Sequence, residues 1–141
     1  MTALFEGIYT RYSDTSAESV ALRATLTGGL HFLEPPQDNP FPYAVFFMPT
    51  AIPWDRFVEK GEDAEIQFNI FDKKSTTTVD PAKEICALFS LLDAVYNRTD
   101  LVVDGYTHVS SKRLISEALP PDEDGVYQYV VSYRILIEDS Q

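Results

Sequence analysis

The chain has 141 residues, 45% of them apolar and 13% aromatic, a length that suits one core of ordinary size and a composition that excludes intrinsic disorder. Twenty-two acidic residues against eleven basic ones give a formal charge of −11, so the surface repels phosphate backbones and a DNA-gripping role is not expected. No run approaches the ~20 consecutive apolar residues that a helix needs to span a bilayer, so no membrane partner is expected.

In chain order, residues 2–14 predict a first helix, because Leu4, Ile8 and Tyr12 recur every fourth position with Phe5 and Tyr9 beside them. Thr2 is the expected N-cap. Residues 15–29 contain Val20, Leu22 and Leu26 and end in the turn signal Gly28-Gly29; a short helix and an irregular segment both fit. Residues 30–33 predict a short strand, and the following Glu34-Pro35-Pro36-Gln37-Asp38-Asn39-Pro40 is a loop of breakers. The run 43–48 is a buried strand by its length and aromatic content, stopped by Pro49.

Residues 50–63, TAIPWDRFVEKGED, read as a polar connection that carries the only tryptophan. In residues 64–72, Ile66, Phe68 and Ile70 alternate with Gln67, Asn69 and Phe71, a period of two that predicts a strand with one apolar face. Past Lys73, Lys74 and a Ser/Thr tract, Asp80-Pro81 announces a helix with Asp80 as N-cap and Pro81 in its first turn. Ile85, Leu88, Phe89, Leu92 and Val95 then mark one face of it. Residues 101–103 predict a short strand joined through the hairpin signal Asp104-Gly105 to a partner strand over 106–118. An acidic turn at 120–125 leads to a last strand, 126–138, with Tyr127, Tyr129, Val131, Tyr133, Ile135 and Ile137 on one face.

Strands in runs with helices segregated to one face define an α+β fold, a mostly antiparallel sheet with two amphipathic helices packed on one side. One domain over residues 1–141 is expected, since no linker or repeat interrupts the chain. The start MTALFEGIYTRYSD lacks the basic-then-apolar pattern of a signal peptide. With Cys86 as the only cysteine, an internal disulfide is excluded and a reducing cytosol is the expected place of synthesis and assembly.

Chemistry is hard to find. His31 and His108 both fall in predicted strands, and neither belongs to a nucleophile motif. Cys86 follows Ile85 on the second helix and reads as a buried structural thiol. The acidic stretches 59–65 and 122–124 lack the alternation of a calcium loop, and the six glycines are scattered, so no metal, phosphate or cofactor site is expected. The residues that stand out are Trp54 and Phe57, large aromatics in a polar connection. Packing back onto their own domain and burial against another chain both fit; in the second reading Trp54, Asp55, Arg56 and Phe57, with Lys73 and Lys74 behind them, are the expected contact surface.

The whole pattern resembles the tail-terminator, or tail-completion, proteins of long-tailed phages and prophages. Pro42-Tyr43-Ala44-Val45-Phe46 is similar to that family's "P-Y-V-V-F" strand, and residues 64–72 to its "v-x-i-q-f-x-i-f/w" strand. Leu91-Leu92-Asp93 resembles its "l-x-x-l-d", and residues 127–137 its "y-x-x-v-x-x-y-r-i-x-i" finish. Two stretches stand outside the pattern: the Trp54-bearing connection and residues 15–27. The resemblance implies a structural virion protein, not an enzyme, that caps the head-proximal end of the tail tube as a homo-oligomeric ring, commonly a hexamer. Its partners would be itself, the tail tube protein and a head-side connector protein, with DNA passing through the lumen unbound. The virion tail would be its place, reached by assembly in the host cytoplasm. A head–tail connector or minor tail protein is the near alternative. The distant one is a small-molecule-binding or enzymatic α+β domain, which a pocket holding a buried histidine beside a carboxylate would favour.

Overall fold

The computed structural model describes residues 2–55, 60–74 and 80–139. The helices are α1 (Thr2–Ser13), α2 (Ala17–Thr25) and α3 (Pro81–Tyr96), and the strands are β1 (Leu30–Phe32), β2 (Tyr43–Asp55), β3 (Lys60–Lys73), β4 (Tyr106–Leu119) and β5 (Val126–Asp139). The strands form one sheet in the order β1-β2-β3-β5-β4. Only the β1/β2 pairing is parallel; the other three are antiparallel. This is the expected α+β architecture with one helix more.

The extra helix is α2, in the stretch where the residues left two readings open. Ser16 caps it, its hydroxyl accepting the Ser19 N–H at 3.3 Å, and Leu22 and Leu26 are buried at its base. α1 already includes Thr2, so that residue is not a cap standing before the helix. In α3 the expected start holds: Asp80 accepts the Lys83 N–H at 3.2 Å and Pro81 opens the first turn. Ile85, Leu88, Leu92 and Val95 are buried along the predicted face. Cys86 is exposed, which corrects its reading as a buried thiol. One residue advances a helix by about 100°, enough to carry position 86 away from the face that Ile85 holds.

All the helices shown by ring contacts to meet the sheet meet the same side of it. Phe5 of α1 lies 6.2 Å from Phe46 of β2, Phe46 stacks on Phe68 of β3 at 5.8 Å, and Tyr96 of α3 stacks on Phe68 at 4.7 Å. Ala64, Ile66, Phe68 and Ile70 from β3 and Val131, Tyr133, Ile135 and Ile137 from β5 are buried on this face. The alternate residues, Glu65, Gln67, Asn69, Gln128 and Arg134 among them, belong to the opposite face, where Arg134 grips Asp63 through two bonds of 2.9 and 2.7 Å.

Two strand expectations need correction. Residues 50–63 are not a free connection: β2 continues to Asp55 and β3 starts at Lys60, so the pair forms one long hairpin. Pro49 suggested a break. β1 pairs only with residues 44–46, however, so β2 beyond them is an edge strand, where a missing N–H is tolerated. Residues 101–103 form no strand with 106–118; the single bridge Val103↔Tyr106 closes the Asp104-Gly105 turn. β4 instead ladders along β5, which offers 14 residues of partner where the short segment offered three. Bulges at His108/Ser110 and Arg113/Ile115 break the period of two along β4.

Candidate functional site

The expected contact residues divide between the two ends of the β2–β3 hairpin. Trp54 and Asp55 are the last residues of β2, their backbones opposite Gly61 and Lys60. Arg56 and Phe57 lie outside the described residues. Lys73 ends β3 opposite Val126, and Lys74 follows it, both exposed. At ~3.3 Å per residue, the length of β3 puts roughly 40 Å between the hairpin tip and this lysine pair, so the structure does not bring the two groups together.

The end of β3 near those lysines holds an unusual carboxylate. Asp72 is fully buried; one of its oxygens accepts the Lys73 N–H at 2.8 Å and the other has no partner among the described residues. Burial pushes its pKa up to about 6 against the pull of that hydrogen bond, and Glu84 of α3 pushes the same way.

A second polar constellation was invisible in the sequence. His108 Nε2 lies 2.7 Å from the Ser111 hydroxyl, and His108 Nδ1 lies 3.2 Å from the Asp100 carboxylate. In an unbroken strand, residues three apart point to opposite faces. The bulge between His108 and Ser110 inserts one residue, so His108 and Ser111 share the face turned to α3 and the loop before β4. Together with Arg98 and Lys112 they line a cavity of about 390 Å³. Burial lowers the histidine pKa and Asp100 opposes it, which leaves a neutral imidazole near pH 7. The row has the order of a nucleophile relay. Its acid, however, is 98% exposed, and Nδ1 has no aligned hydrogen bond to it, so the imidazole is weakly oriented. His31 has a structural role instead, its Nε2 2.8 Å from the Gly28 carbonyl. No group of three or more His, Cys, Asp or Glu is placed to hold a metal among the described residues, and no helix among them is long and apolar enough to cross a membrane.

Both sheet edges expose apolar side chains. Beside β1, α1 helps to form a groove of about 660 Å³ lined by Phe5, Glu6, Tyr9, Thr10, Phe32 and Phe46. Leu33, next along the chain, is 63% exposed and has φ 68, a left-handed conformation that a branched apolar residue rarely adopts. On β4, Leu114 and Ile115 stand exposed at the second bulge. Sequence reasoning had no means of finding these patches, because their exposure depends on which strands end up at the edges.

No protein-family model matches this sequence, and no curated protein matches it. Solved structures do. A chain from the virion of a native gene transfer agent particle superposes with a TM-score of 0.70 at 16% identity, over 93% of this chain and 91% of that one. The gp17 protein of bacteriophage SPP1 is a looser likeness, with a TM-score of 0.49 at 19% identity over 95% and 87%. The chain thus shares its fold with a component of a gene transfer agent virion.

Proposed function

We propose that this chain is a structural virion protein, a non-enzymatic subunit that caps the head-proximal end of a tail tube as a homo-oligomeric ring, commonly six-membered. The ring ends tube polymerisation and presents a surface for head–tail joining. The observation that carries this reading is the fold likeness to a virion chain over 93% of the present chain. The sequence resemblance to tail-terminator proteins supports it independently. In this reading residues 1–141 act as one domain whose partners are its own copies, the tube protein and the head-side connector. Trp54, Asp55, Arg56 and Phe57 form one contact region, which includes the end of β2, and Lys73 and Lys74 at the far end of β3 form a second. The charge of −11 suits a conduit through which DNA passes without sticking. A ring lumen lined by basic side chains would sink that last point.

Electron microscopy of particles lacking the protein tests the role. Overlong or headless tails are expected; tailless, DNA-filled heads would reassign the chain as a head–tail connector. Trp54→Ala is expected to weaken ring formation or tube binding with the chain still folded, and unchanged assembly would remove Trp54 from the contact surface.

The Asp100–His108–Ser111 row favours one second reading, an acyl-transfer enzyme with Ser111 as nucleophile and His108 as base. Ser111 is 4% exposed, which leaves a substrate carbonyl little access to the hydroxyl. Labelling of the folded protein by a fluorophosphonate, abolished by His108→Ala, would establish this reading; absence of labelling disposes of it.

A further inference from the structure

β1 and β4 close the two edges of the sheet, and they differ in what they offer. β4 is a 14-residue edge strand, and at its second bulge Ile115 is 62% exposed beside an exposed Leu114. The rest of the edge carries exposed Lys112, Arg113 and Glu117, charges of the kind that keep natural edges from pairing along their length, so the apolar side chains are confined to this bulge. The other edge is concave where β4 is prominent: α1 and β1 frame the groove of Phe5, Tyr9, Phe32 and Phe46. The rims also match in charge. Lys112 is exposed two residues before Leu114, whereas the exposed Glu6 lines the groove and the exposed Glu34 follows two residues after Phe32.

We propose that the β4 edge of one copy seats Leu114 and Ile115 in the α1/β1 groove of the next copy, with Lys112 facing Glu6 and Glu34. The inference rests on the ring reading above and names its subunit contact. A second copy is the occupant that the surfaces favour, because both halves of the match lie on one chain, at opposite edges of one sheet. In a chain of net charge −11, most faces of two copies repel each other, and the cation at the β4 edge is set against the acids of the groove. The contact is heterologous: each copy spends one edge as donor and the other as acceptor, so repetition closes a ring when the rotation between neighbours permits. Both ends of the β2–β3 hairpin stay outside this contact.

The test uses the full chain with Cys86→Ser to remove the native thiol. Tyr9→Cys and Ile115→Cys are made singly and together, oxidised under native conditions and sized under denaturation, beside light-scattering mass over a range of concentrations. The expected result is disulfide-linked dimers on mixing the two single variants, higher covalent oligomers from the double variant, and monomers from either single variant alone. Lys112→Glu is expected to weaken self-association by about tenfold and Glu6→Lys in the same chain to restore part of it. Dimers from Ile115→Cys alone would overturn the proposal in favour of a symmetric contact. Oligomers in light scattering without the mixed cross-link would also overturn it, while leaving the ring reading intact. Monomers at every concentration with no cross-link would overturn self-docking as well, and the ring on a tube would then stand or fall by particle microscopy.

Discussion

The phenolic hydroxyl of Tyr133 on β5 donates to the Asp93 carboxylate of α3 across 2.9 Å. The other carboxylate oxygen of Asp93 accepts Arg113 Nη1 from β4 at 3.1 Å, and the Arg113 guanidinium lies 5.4 Å from the centre of the Phe89 ring. One aspartate thus ties the helix to two strands. Burial, then the neighbouring Asp93 charge, pushes the Tyr133 hydroxyl far above its ordinary pKa, so it stays a donor at every working pH.

Tyr133→Phe leaves Asp93 its bond to Arg113 and is expected to cost about 1–2 kcal/mol in urea unfolding. Asp93→Ala strands the buried Tyr133 hydroxyl and releases Arg113 as well, so it should cost more, about 2–3 kcal/mol. The reverse order would mean that Asp93 is held mainly by solvent.

Asp72 gives a pH signature. Its folded pKa, about 6, lies above the unfolded value of 3.8, so the folded chain holds a proton that the unfolded chain has lost between those two values. The contribution is fully present below the unfolded pKa and is lost as pH rises through about 6. It amounts to about 3 kcal/mol at most. Asp72→Asn should therefore gain stability relative to the parent as pH climbs from 4 to 7, and equal stability differences at both ends would refute the shift.

Gly28 packs where no side chain fits. Its N–H donates to the Pro42 carbonyl at 2.7 Å, and a Cβ there would collide with the carbonyl oxygens of Pro40 and Pro42. Gly28→Ala should destabilise the chain by about 1–3 kcal/mol, measured as a fall in thermal midpoint, because the obstruction is backbone that cannot rotate away.

Cys86 is exposed on α3, so a thiol reagent should label the folded chain to one equivalent without denaturant. Labelling that needs denaturant would bury the thiol after all.

Much of the architecture can be read in local periodicity. The alternation of Ile66, Phe68 and Ile70 and the helical spacing of Ile85, Leu88 and Leu92 mark these residues as core by pattern alone, and all six are buried. The same reading fails at Pro49, because a proline reads as a break only until the strand that holds it proves to be an edge. It fails again at 101–103, because the strand over 106–118 takes its partner across the acidic turn that follows it, in β5, and not across Asp104-Gly105.

The candidate sites are less legible than the fold. Trp54 is visible as a residue type out of place, yet its separation from Lys73 along β3 belongs to the sheet. The His108–Ser111 pairing depends on a one-residue bulge, and bulges leave no reliable mark in composition.

By itself the sequence determined which residues must leave water and at what period, and from that the α+β class, the helix starting at Asp80 and the acidic surface all follow. The tertiary structure alone decided strand order, and with it which edges stay open, which polar groups face each other and where apolar side chains remain uncovered. Hydrophobic periodicity is a local property of a few turns or strand residues. Edge position, register and bulges are settled by competition among segments far apart in the chain, and that competition is won only when all of them pack together.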